Sequence, residues 1–275
     1  MVAKPTLERH IFAESVPRPQ IEPEIRYNAT MKKLLILTLL LTQFLFSSTP
    51  EQVERYISIS NSEEQLITLE SQFSQMQNNI NSISKEESDT YDMQLLSIRF
   101  REYLQKNISE DEMDKIMEQY KNVVLLQFVS VQNDAAYDEK EAEAYMKEMQ
   151  TEENASVRID LLDNISEKLY KKENIGILFD SLMKPLMQNS KGSAQIDDET
   201  MKKSKEAYIK RMIKSGKVET SYSSREFTIE ELEELLNIVK TPAIDHESKV
   251  IFSATAYALR EFFLSMASRY DVSKH

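Results

Sequence analysis

The stretch of this chain best equipped for proton chemistry is Asp245-His246-Glu247, an imidazole between two carboxyl groups. On a helix, consecutive side chains point about 100° apart, so the trio does not line up as a relay. His246 therefore reads as a surface histidine near the start of the last helix. Glu230, Glu231, Glu233 and Glu234 could attract a divalent cation, but such spacing is the ordinary pattern of a solvated helix face. The sequence holds no Gly-x-Ser-x-Gly elbow, no His-Glu-x-x-His helix, no calcium-loop pattern and no glycine-rich phosphate loop. It also has no cysteine, which excludes thiol catalysis, disulfides and cysteine-held zinc. No catalytic, cofactor-binding or metal-binding residue is assigned, and no cofactor is expected.

Two other patterns carry chemistry of a softer kind. Glu152-Glu153-Asn154-Ala155-Ser156 is an Asn-x-Ser acceptor with an acid two places before the asparagine, which resembles the extended signal of bacterial N-glycosylation and makes Asn154 a candidate modification site. Asn107 and Asn164 fit only the shorter pattern. Thirteen methionines are many for 275 residues. Those at 76, 113, 117, 146, 149, 183, 187, 201 and 212 fall on apolar stripes. They read as core filling, with an adaptable client-binding groove as the alternative.

The elements that position these residues follow a segment with the layout of an export signal. Met31-Lys32-Lys33 precedes Leu34-Leu35-Ile36-Leu37-Thr38-Leu39-Leu40-Leu41 and a polar exit through Ser47-Ser48. A short basic start and an apolar run of about a dozen residues describe a secretory signal peptide. The run is shorter than the roughly 20 residues that span a bilayer core, so membrane contact is expected only through this segment. Cleavage is expected near Ser48, and the location is periplasmic or secreted. Signal peptides stand first in a chain, so translation is expected to begin at Met31. Residues 1–30 are then a non-native or disordered extension. The alternative is a genuine extension ahead of a membrane anchor.

With three glycines, the chain is poorly supplied for hairpins or nucleotide loops, and the class expected is all-α. Apolar steps of three and four recur from Leu66 through Phe73 to Ile83, along one helix from Ser109 toward Gln132, and from Val157 to Leu169. Ile177 to Met187 continues the pattern with a kink expected near Pro185. Asp197 can cap a helix that Gly216 would close in the left-handed conformation, with residues Ser221 to Arg225 as linker. Thr241-Pro242 opens a final helix to about Arg269. The sum is a bundle of about eight to ten helices. Its organisation reads as helical half one over 49–136, an acidic connector over 137–153 and helical half two over 154–271.

The two halves look related. Ser109 to Glu112 and Thr228 to Glu231 both place a hydroxyl three residues before a glutamate, as a capping box requires. Ile108/Met113 and Phe227/Leu232 are spaced as hydrophobic staples around them. A signal segment, a helix such as Ser156 to Tyr170 and the capped acidic helix Phe227 to Lys240 together resemble a family of small secreted bacterial helical proteins known only as a domain of unknown function. In that family the capped helix leads into a Ser-Pro-x-Gly-like turn. Thr241-Pro242-Ala243-Ile244 keeps the hydroxyl and the proline and lacks the glycine. The resemblance covers mainly the second half, implies an exported helical domain and brings no catalytic residues.

A formal net charge of −12 makes nucleic acid a poor partner. Lys202, Lys203 and Lys205 read as part of a mixed solvated face. The function expected is non-enzymatic: protein–protein interaction with another envelope protein. The alternatives are a binder of apolar ligands or clients, marked by an enclosed Met- and Phe-lined cavity, and an enzyme whose groups converge only in the fold.

Overall fold

A computed structural model describes residues 47–64, 66–67, 93–132, 139–151, 154–190 and 196–267. Residues 1–46, with most of the expected export segment, and the apolar run from Leu69 to Ile83 lie outside them. The described residues hold eleven α-helices, one π-helical turn and no strand, the all-α bundle that the sequence predicts. They belong to one compact unit, Leu45–His275.

Local capping chemistry sets most helix starts. In α1 (Pro50–Ser60), the Gln52 amide donates to Thr49 Oγ1 at 3.2 Å and the Thr49 amide to Gln52 Oε1 at 2.9 Å. Asn61 closes this helix with φ at 53°, a conformation asparagine tolerates better than most residues. Ser48 is buried, and its amide donates to the Ile108 carbonyl at 2.8 Å, tying the entry of α1 to the turn after α2 (Met93–Asn107). The expected capping boxes form at Ser109–Glu112, opening α3 (Glu110–Gln119), and at Thr228–Glu231, opening α10 (Ile229–Val239). Ile108, Met113, Phe227 and Leu232 are all buried beside them.

Between these lie α4 (Val123–Gln132), α5 (Glu139–Met149), α6 (Ala155–Leu169), α7 (Lys172–Leu178), α8 (Lys184–Asn189) and α9 (Asp198–Ser223). Three expectations are corrected here. The single helix from Ser109 to Gln132 is two, because Asn122 Oδ1 accepts the amides of Val124 at 2.8 Å and Leu125 at 3.3 Å and starts α4 afresh. Gly216 does not end a helix. It lies inside α9, where a Cβ would stand 2.5 Å from the Tyr170 ring, so glycine serves close approach there. Ser221 to Ser223 are the last turn of α9 rather than linker; the Ser221 hydroxyl bonds back to the Lys217 carbonyl at 2.8 Å and Ser224 to Thr220 at 2.6 Å. Near Pro185, where a kink is expected, the chain makes a π turn over Phe179–Met183. Proline lacks an N–H and crowds the carbonyl four residues back.

The last helix, α11 (Pro242–Ala267), is the organising element. It packs against α2, α3, α7, α8 and the π turn. Its buried face mixes Ala254 and Ala258 with Leu259, Phe262 and Phe263, small residues giving neighbouring helices room to approach. One apolar core takes side chains from α1 through α4 and from α5 through α11, so both sequence halves contribute to it.

Candidate functional site

Three elements bring one carboxyl and two phenols together in that core. Tyr56 comes from the inner face of α1, Tyr120 from the C-terminal cap of α3, and Glu247 from the second turn of α11. Tyr56 is fully buried, and Glu247 is only 6% exposed. Both phenols donate to the same oxygen, Glu247 Oε1, at 2.6 Å each. Their rings meet edge to face with centroids 6.0 Å apart. Glu247 Oε2 has no hydrogen bond among the described residues.

Burial dominates the electrostatics. Loss of hydration pushes the Glu247 carboxyl up to about 7, against the pull of the two phenol hydrogen bonds toward the ionised form. Burial, and then the neighbouring carboxylate, raise both tyrosines well above their ordinary value, so they stay hydrogen-bond donors.

Glu247 and both phenols line a cavity of about 170 Å³. Its inner wall is buried and includes Leu125, Phe128, Val239 and Ile244, while Val129, Gln132, Tyr170, Ser248, Ile251 and Phe252 are half-buried around its outer part. An apolar cavity of comparable size, about 150 Å³, accommodates benzene. The space therefore suits a molecule of roughly that bulk. A second acid–phenol pair stands beside it: Tyr170 donates to Glu219 Oε2 at 2.8 Å, and burial raises the Glu219 carboxyl as well.

The residues singled out from sequence fall elsewhere. His246 is half-buried and turned from Glu247, its Nε2 3.8 Å from Glu112 Oε1 and without a hydrogen bond among the described residues. Asp245 pairs with Lys171. The trio is thus split three ways, as its helical spacing requires. Glu231 completes a capping box, Glu234 Oε1 accepts from Asn122 at 2.6 Å, and Glu230 and Glu233 are exposed. Among the described residues no three acids or histidines gather to hold a metal. Asn154 is exposed at the start of α6, and its side chain does not cap the helix. Lys203 and Lys205 pair with Glu199 and Asp180. Met113 and Met149 fill the core, and among the described residues no methionine lines the cavity.

The phenols of this site were invisible to local reading. Tyr56 and Tyr120 lie 191 and 127 residues from Glu247 along the chain. Tyr120 shows in sequence only as one more apolar-stripe residue. A glutamate on the inward register of a helix was the available signal. The chain matches no protein-family model, no curated protein and no solved structure.

Proposed function

We propose that this protein is a non-catalytic binder of a small, largely apolar ligand, held in the cavity between α1, α4 and α11. The carrying observation is the pairing of an apolar-walled space of about 170 Å³ with a buried carboxyl group that keeps one oxygen unbonded among the described residues. Apolar walls supply the driving force, at roughly 25 cal/mol per Å² of ligand and wall surface removed from water. A single polar group then fixes orientation.

This reading moves ahead of the envelope-interaction reading. The exposed apolar side chains Val123, Ile98 and Leu95 support that role without any companion feature. The enzyme reading has one specific support, since a carboxyl group near neutrality suits general acid–base work. It lacks a partner group: both phenols are committed to the same oxygen, and the imidazole of His246 is directed to Glu112. Export remains part of the proposal. Ser48 is built into the fold through its amide, so processing ahead of Ser48 preserves that contact.

The test is titration with toluene, followed by two-dimensional NMR and by heat of binding. Wild-type protein is expected to bind it in the micromolar-to-millimolar range with shifts at Phe128, Ile244 and Ile251. Val129→Trp, which places an indole at the outer wall, is expected to abolish those shifts. Saturable binding unaffected by Val129→Trp, or no binding by wild type, would overturn the proposal.

A further inference from the structure

Around Glu247 the cavity is rich in lone pairs, and the donors remaining in its lining are the Ser62 hydroxyl and the Gln132 carboxamide, the latter half-buried at the outer part. Each phenol spends its one hydrogen on Glu247 Oε1, and the Ser60 hydroxyl spends its own on Ser62 Oγ at 3.0 Å. Ser248 Oγ donates to the Leu169 carbonyl at 3.2 Å. What these groups still present is chiefly acceptor capacity: Glu247 Oε2 and the remaining lone pairs of the phenol and serine oxygens, Ser60 Oγ already accepting from the Ser62 amide and Ser248 Oγ from Asn174 Nδ2. Among the described residues no lysine, arginine or histidine lines the space. Of the ionisable neighbours of Glu247 along α11, Asp245 pairs with Lys171, His246 faces Glu112 and Lys249 is exposed.

A ligand end that meets such a wall must bring several donors and no negative charge. An ammonium group has three donors and no acceptor, whereas a hydroxyl has one donor and a carboxylate none. Its charge would also compensate a carboxylate held out of water, which is costly without a partner. The overall charge of −12 adds a field that gathers cations around the molecule. We infer that the ligand is a small amine with a compact apolar body, its ammonium group docked on Glu247 Oε2 beneath Tyr56 and Tyr120. This rests on the cavity reading above and specifies the ligand's chemistry. The apolar body lies along Phe128, Ile244, Ile251 and Phe252, and the amine enters last-wall contact with the acid at the inner end.

Three probes of nearly equal shape separate the terms: toluene, benzyl alcohol and benzylamine. At pH 8 and low salt, wild type is expected to bind benzylamine at least tenfold more tightly than either neutral probe. Glu247→Gln keeps the shape and an acceptor for the phenols. It is expected to erase the benzylamine advantage, bringing benzylamine affinity to that of toluene measured on the same variant. Toluene binding with no benzylamine advantage would overturn the amine assignment and leave the cavity proposal standing. An alcohol bound as tightly as the amine would do the same, showing that a neutral donor suffices. A benzylamine advantage that survives Glu247→Gln would also overturn it. Failure of all three probes with wild type would overturn the assignment and the cavity proposal together. The probe ranking in wild type decides the matter even if the variant folds poorly.

Discussion

Two side chains of the Asp, Glu, Lys and Arg type are buried among the described residues, and they are treated in opposite ways. Arg158, 8% exposed on α6, has a bond on each guanidinium nitrogen. Its guanidinium donates to the carbonyls of Phe227 at 2.8 Å, Ser224 at 2.9 Å and Arg225 at 2.8 Å, and to the Tyr145 hydroxyl at 3.2 Å. Those carbonyls form the exit of α9 and the approach to α10, where orphan acceptors and the negative end of a helix dipole favour a cation. Glu247 is buried as deeply, but only one of its oxygens is bonded, and beside it is space. A buried charge with a bond on every nitrogen is a staple. A buried acid with one oxygen left over at a cavity is a candidate site.

Replacing the staple should produce the largest effect. Arg158→Leu keeps apolar bulk but strands three carbonyls in the α9–α10 turn. The expected loss is about 3–5 kcal/mol, the range for breaking a buried charged network. Urea unfolding at a single neutral pH measures it. A loss below about 1 kcal/mol would mean water replaces the guanidinium, and the contrast with Glu247 would collapse.

Removing the acid should have a smaller effect of the opposite sign, and one that depends on pH. A carboxyl group raised from 4.5 to about 7 holds its proton more tightly folded than unfolded. Its contribution is full below pH about 4.5 and is lost as pH rises through about 7, for a total of roughly 3 kcal/mol. The groups facing it are the two phenols, which remain neutral across that window. Glu247→Gln is neutral throughout. It should match wild type near pH 4.5 and exceed it by roughly 3 kcal/mol at pH 8, above the folded-state titration. Unfolding curves at pH 4.5, 6 and 8 check this. Parallel curves would place the carboxyl in contact with solvent.

The difference between these two charges also marks what the sequence could disclose. Ser109, Asp197 and Thr228 act within four residues of themselves, and each caps the helix expected of it. Periodicity likewise placed Ile116, Leu162 and Leu235 in the core. Gly216 and the serines near 221 misled because their roles depend on tertiary neighbours: the Tyr170 ring in one case, helical carbonyls accepting hydroxyls in the other. Arg158 and Glu247 were harder still. Nothing within a helix turn distinguishes an inward charge from an outward one except its register, and apart from Tyr145, 13 residues from Arg158, their partners lie 66 or more residues away.

Matched phenol deletions sharpen the comparison at its smallest scale. Tyr145→Phe removes one acceptor from Arg158, at the longest of its four contacts, 3.2 Å. The guanidinium carries a fixed charge, so the cost should be about 1 kcal/mol and flat with pH. Tyr56→Phe removes one of two donors from Glu247 Oε1, a contact that favours the ionised acid. Its loss should move the carboxyl further up and deepen the alkaline destabilisation by about 1 kcal/mol relative to pH 4.5. The pH profile, rather than the size of either loss, separates the two roles. A flat profile for Tyr56→Phe would show that its hydroxyl serves Glu247 equally well in both protonation states, making the acid a second staple.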